Sequence, residues 1–79
     1  PGKYEVHEYD IMERFCYSVE NDVLSDQLLN TIRGRGAFRR FKNAIHYHGL
    51  TEHWYAFLRS AIEKIAIEWL EEHEIPFTQ

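Results

Sequence analysis

Apolar side chains recur at three- and four-residue steps through most of this chain, and the recurrence breaks only near Glu20, around Gly34 and Gly36, and at Gly49. Four helix-sized segments with one apolar side each point to an all-α fold, a small bundle of four helices. A chain of 79 residues makes a single domain over 1–79, close to the size at which one core is only just sufficient. Hydrophobic residues are 44% of it and aromatics 15%, which excludes a disordered tail and gives most of the buried area to Phe, Tyr, Trp and Ile.

At the N-terminus the period is different. Tyr4 and Val6 alternate with Glu5 and His7, which predicts an extended N-terminal arm over residues 1–8. Ile11, Met12, Phe15, Cys16 and Val19 then form the stripe of a first helix, with Glu13, Arg14 and Ser18 opposite. Asp22 or Ser25 is the expected cap of a second helix, striped by Val23, Leu24, Leu28, Leu29 and Ile32 and stopped by Gly34. A third helix follows Gly36, with Phe38, Phe41, Ala44 and Ile45 inward and Arg39, Arg40, Lys42, Asn43 and His46 outward, and it ends at Gly49.

Thr51 is the expected cap of a last helix over residues 52–73, the longest and central one, which Pro76 keeps from extending far. Its stripe is Trp54, Leu58, Ala61, Ile62, Ile65, Trp69 and Leu70, and the other helices are expected to pack around Trp54 to Trp69. Phe38, Phe41, Trp54, Phe57 and Trp69 read as core. Ile67 lies opposite the stripe beside Glu63 and Glu71, so homo-oligomer formation through the Ile67 side is an open expectation.

The charge is unevenly distributed. Residues 1–32 hold two bases and seven acids, residues 33–48 five bases and no acid, and residues 49–79 two bases and six acids. The candidate anion- or partner-binding residues are therefore Arg33, Gly34, Arg35, Gly36, Arg39, Arg40 and Lys42. Three readings stay open. The bases pair with acids of the first and last helices, such as Glu13, Glu63, Glu68 and Glu71, and fix how the helices dock. Alternatively, Gly34 and Gly36 before a helix turn free N–H groups outward, with arginines alongside, toward a phosphate or carboxylate. In the third reading the block follows a nucleic-acid backbone while Tyr47 or Tyr55 stacks on bases, which the net charge of −4 does not favour.

No enzyme activity is expected and no catalytic residue is assigned. Cys16 sits on an apolar stripe, where a thiol is inert, and no serine has a patterned base beside it. No cofactor is implied. His46, His48 and His53 are read as polar residues around the Gly49 turn, since no cysteine or carboxylate completes a ligand spacing, and no metal site is expected. One cysteine allows no internal disulfide, which suits a reducing compartment, so the expected location is cytoplasmic, with no membrane partner. The chain opens on Pro1 and Gly2 without a starting methionine, as a fragment of a longer chain would.

Four blocks, YDIMERF at residues 9–15, GRGAFRRFK at 34–42, WYAF at 54–57 and IEWLEE at 67–72 with Ile75 behind, together resemble the C-terminal part of the uncharacterised bacterial protein family UPF0158. The resemblance covers nearly the whole chain through the order and spacing of the blocks. It implies that members carry a further N-terminal segment, and it brings no established activity. The family pattern tends to place Asp after the FK pair, where this chain has Asn43. The function expected from the residues is a non-enzymatic interaction module whose basic surface meets an unknown anionic partner, an acidic protein segment or a phosphate-bearing ligand. The alternatives are a structural, self-associating domain with the block satisfied internally, and weak nucleic-acid binding.

Overall fold

The computed structural model of the protein describes residues 3–73. These form four helices, α1 (Lys3–Ser18), α2 (Asp22–Thr31), α3 (Ala37–Tyr47) and α4 (Thr51–Glu72). Each helix packs on the next, and α4 returns to α1, so the four close into a bundle. Connections of a few residues leave successive helices no choice but to lie side by side.

Helix α1 begins at Lys3, so the extended arm expected over residues 1–8 is helical from Lys3 onward, and Pro1 and Gly2 lie outside the described residues. A five-residue alternation has no second strand to receive its backbone groups, whereas a helix continuous with the stripe that follows satisfies them internally.

The second helix is capped by Asn21, whose side-chain oxygen accepts the Leu24 N–H at 3.0 Å. Asp22 instead occupies the first turn, where its charge complements the helix dipole. Ser25, the other expected cap, is buried, and its hydroxyl donates to the Cys16 carbonyl at 2.7 Å. That carbonyl belongs to the last turn of α1 and also accepts the Val19 N–H, so Ser25 ties the end of one helix to the flank of the next. Helix α3 stops in a Schellman arrangement, with Leu50 N–H on the Ile45 carbonyl, Gly49 N–H on that of His46, and Gly49 at φ +67°. Thr51 is the first residue of α4 rather than its cap, a position held by Leu50 without a side-chain bond.

The core contains Ile11, Met12, Phe15 and Cys16 of α1, Leu28 of α2, Ile32 after it, Ala37, Phe41 and Ile45 of α3, and Trp54 and Ala61 of α4. Phe15 is its hub. Its ring meets Phe41, Trp54 and Phe57 edge to face at 6.2, 5.4 and 5.3 Å, and Phe41 meets Trp54 at 4.8 Å. Edge-to-face contacts place the positive rim of one ring on the negative face of another, adding to the area each ring buries.

Packing along α4 stops short of Trp69. Ile65 still rests against the core, but Ile62 is 42% and Trp69 51% exposed, against the expectation that both are covered. Ile62 is exposed by its direction, next to buried Ala61 on the helix; for Trp69 the cause is length. A 22-residue helix spans about 33 Å, while the 11 residues of α3 span about 16 Å and cannot cover it. Pro76, expected to limit α4, lies outside the described residues, and the helix ends at Glu72 with His73 as its cap.

Candidate functional site

The basic block divides between the α2–α3 connection and the first turns of α3. Ile32 ends α2 by donating its N–H to the Leu29 carbonyl, leaving the carbonyls of Thr31, Arg33 and Arg35 to find partners. All three are taken by one side chain. Arg40 donates Nε–H to the Thr31 carbonyl at 3.0 Å and its two terminal nitrogens to the carbonyls of Arg33 and Arg35. A planar fork with five donors suits three converging carbonyls, and its charge lies where the negative end of α2 points.

The two glycines shape the connection around that fork. Gly36 has φ +77°, which favours glycine, and a Cβ there would lie 3.0 Å from an Arg40 terminal nitrogen, which would have to shift. Gly34, at φ +73°, has nothing near a would-be Cβ and is required by the backbone alone. From the α1 side, Tyr9 donates its hydroxyl to the Ile32 carbonyl at 3.0 Å. The connection is thus held from both flanks.

Arg40 is exposed with the other bases of the block, but its guanidinium is engaged by the scaffold. Arg33, Arg35, Arg39 and Lys42 are exposed. Among the described residues the one ion pair is Arg14 with Asp10, at 3.1 Å, so the block is not docked onto Glu13, Glu63, Glu68 or Glu71. On α3 the inward positions Ala37, Phe41 and Ile45 force Arg39, Lys42, Asn43 and His46 onto the opposite, exposed side at steps of three and four. No acid lies in the first turn of α3 and no side chain caps it. Gly34 and Gly36 shape this surface without contributing a side chain to it.

Tyr47, 84% exposed, stands at the end of the same helix with its ring against His48 at 5.0 Å. Among the described residues no three His, Cys, Asp or Glu side chains gather as metal ligands, and no helix is long and apolar enough to cross a membrane. Cys16 is a free, fully buried thiol that burial, aided by the nearby Glu13 carboxylate, pushes up to about 11.

Sequence reasoning missed Tyr9 and the bonds of Arg40 to the preceding connection. A signal for the second was present, since an arginine four residues after a left-handed glycine at a helix start can reach back over the preceding turn. The residues involved also lie in three of the four sequence blocks. Tyr9 and Phe15, Gly36 to Phe41, and Trp54 to Phe57 meet through the Tyr9 bond and the Phe15 cluster.

A family model described as an uncharacterised protein family, UPF0158, matches residues 3–79. A curated relative, the UPF0158 protein PA5073 of Pseudomonas aeruginosa, is 29% identical over 66 residues, covering 82% of this chain and 43% of the relative. The chain spans less than half the length of that relative. No solved structure matches.

Proposed function

The chain belongs to the uncharacterised protein family UPF0158, and on that premise we propose that it is a non-enzymatic binding module whose basic surface holds an anionic partner. The surface consists of Arg33, Arg35, Arg39 and Lys42, and the partner is an acidic protein segment or a phosphate-bearing ligand. The observation that carries this reading is that four cations stand exposed with no acid among the described residues bound to them, in a protein of net charge −4. Charges left unpaired beside a surplus of acids keep a local positive field for an external anion. The one thiol in the chain is buried and pushed to about 11, which suits a structural side chain rather than a nucleophile. A free cysteine also fits the cytoplasm, the location we assign.

The test is a pull-down with the full-length protein carrying Arg39→Glu and Lys42→Glu, which leave the Arg40 clamp intact. The variant is expected to melt like the parent and to lose its partner. Retention of every partner by the folded variant refutes the proposal. The exposed Tyr47 ring on the same helix favours nucleic acid as a second reading, because a base can stack there while the bases follow phosphates. Titration against single- and double-stranded oligonucleotides at two salt concentrations decides it, since affinity that ignores salt, or no affinity, removes that reading.

A further inference from the structure

From Gln27 to Thr51 the chain holds no acid. That stretch covers the second half of α2, the connection and the whole of α3, and the exposed side of α3 divides along its length. Arg39, Lys42 and His46 follow at steps of three and four and form one row, while Asn43 and Tyr47, four apart, form a second beside it. At 3.6 residues per turn the two rows lie roughly a quarter-turn apart. Among the described residues no large apolar side chain is more exposed than Tyr47, at 84%. The His48 ring meets it at right angles.

We infer that the anionic partner is an unpaired nucleic-acid strand laid lengthwise on α3, with its phosphates on the cationic row and a base stacked on Tyr47. The inference rests on the basic surface proposed above and names its occupant. The ring decides between kinds of strand. In a duplex the faces of the bases are closed against one another except at the ends, so only an unpaired base offers a face to Tyr47. Asn43, one turn before Tyr47, carries an amide that both donates to and accepts from a base edge. Arg33 and Arg35, exposed on the connection, carry the positive track past the start of α3.

Size favours a strand over an acidic protein. Helix α3 has 11 residues, about 16 Å of length on a body about 10–12 Å across, so one side of it offers on the order of 200 Å². A specific protein interface takes about 800 Å² from each partner. A strand needs only a narrow strip, because phosphate neutralisation and stacking supply its affinity. The same chemistry fixes the salt dependence. Each phosphate neutralised on a single strand contributes about −0.7 to the slope of log affinity against log salt, so Arg33, Arg35, Arg39 and Lys42 together give about −3.

Fluorescence anisotropy of the full chain is the test, against a labelled single-stranded RNA, the same sequence as single-stranded DNA, and its duplex, at several salt concentrations. The expected result is tighter binding of a single strand than of the duplex, with a slope of about −3. Preference for the RNA or for the DNA strand identifies the source, and either supports the inference. Tyr47→Ala is expected to weaken binding about fivefold or more at an unchanged slope, and Tyr47→Phe to keep it. A duplex bound as tightly as the strand, indifference to Tyr47→Ala, or no strand bound at low salt overturns the inference. Those outcomes leave the basic surface standing where Arg39→Glu with Lys42→Glu still loses a protein partner in the pull-down. If that reversal changes nothing in either assay, the inference and the reading beneath it both fall. Should Tyr47→Ala lack the parent's helical circular dichroism, the parent's choice between strand and duplex decides alone.

Discussion

Replacing Arg40 by Ala separates the structural arginine from its neighbours in the block. Three hydrogen bonds to the carbonyls of Thr31, Arg33 and Arg35 are lost, each with a net worth of about 0.5–1.5 kcal/mol. The connection is exposed, so water takes over part of each bond and the sum falls to the low end of that range, about 2 kcal/mol. Loss of a cation beside the C-terminus of α2 adds about 0.3–1 kcal/mol. The expected total of about 2–3 kcal/mol lowers Tm by roughly 8–20 °C in a domain of this size. Arg39→Ala, one position away and with no bonded partner among the described residues, is expected to stay within about 0.5 kcal/mol of the parent.

Thermal and urea denaturation followed by far-ultraviolet circular dichroism measure both. Arg40→Lys should recover little, because an ammonium group cannot address three carbonyls lying in different directions. Gly36→Ala gives an independent check. In the parent it meets both a left-handed backbone and the Arg40 terminal nitrogen at 3.0 Å; in the Arg40→Ala background only the backbone cost of about 1–2 kcal/mol remains. Equal melting of Arg39→Ala and Arg40→Ala would refute the clamp.

Phe41→Ala, at the contact between Phe15 and Trp54, should cost about 3–5 kcal/mol in urea denaturation, enough to unfold much of a marginal domain; Phe38→Ala, half-buried, should cost clearly less. Tyr9→Phe removes the hydroxyl on the Ile32 carbonyl and should lower stability by about 1 kcal/mol in the same assay. Cys16 is held at about 11 in the fold, above the value of a free thiol, so the folded state keeps a proton that the unfolded state releases. Stability is therefore unaffected below the unfolded pKa and falls as pH rises from about 9 towards 11, by up to about 2–3 kcal/mol. A parent and a Cys16→Ala variant with the same stability slope over that window would contradict this.

Much of the candidate surface was legible because a helix sorts side chains by position. Once Phe41 and Ile45 were taken as inward, Arg39, Lys42, Asn43 and His46 had to face out. Arg40 kept to the rule and is exposed, but the rule did not give its partners, since a long side chain near a helix start answers to the carbonyls of the preceding turn as well as to its own place on the helical wheel. Asn21 took the cap expected of Asp22 or Ser25 for a related reason. Either hydroxyl or amide can cap a helix, and the open Cys16 carbonyl, in a different helix, drew Ser25 inward.

The order of residues alone determined the four helices and the stop at Gly49, because periodic burial and left-handed glycines act over a few neighbouring positions; α2, expected to stop at Gly34, ends at Ile32. It also determined that α3 would carry cations outward. Tertiary structure decided which cation the scaffold would consume, that Phe15 would be the hub of the aromatic cluster, and that Trp69 would remain half in solvent. Those outcomes depend on how far one helix reaches along another and on which carbonyls converge at a junction, distances set by packing between segments remote in the chain.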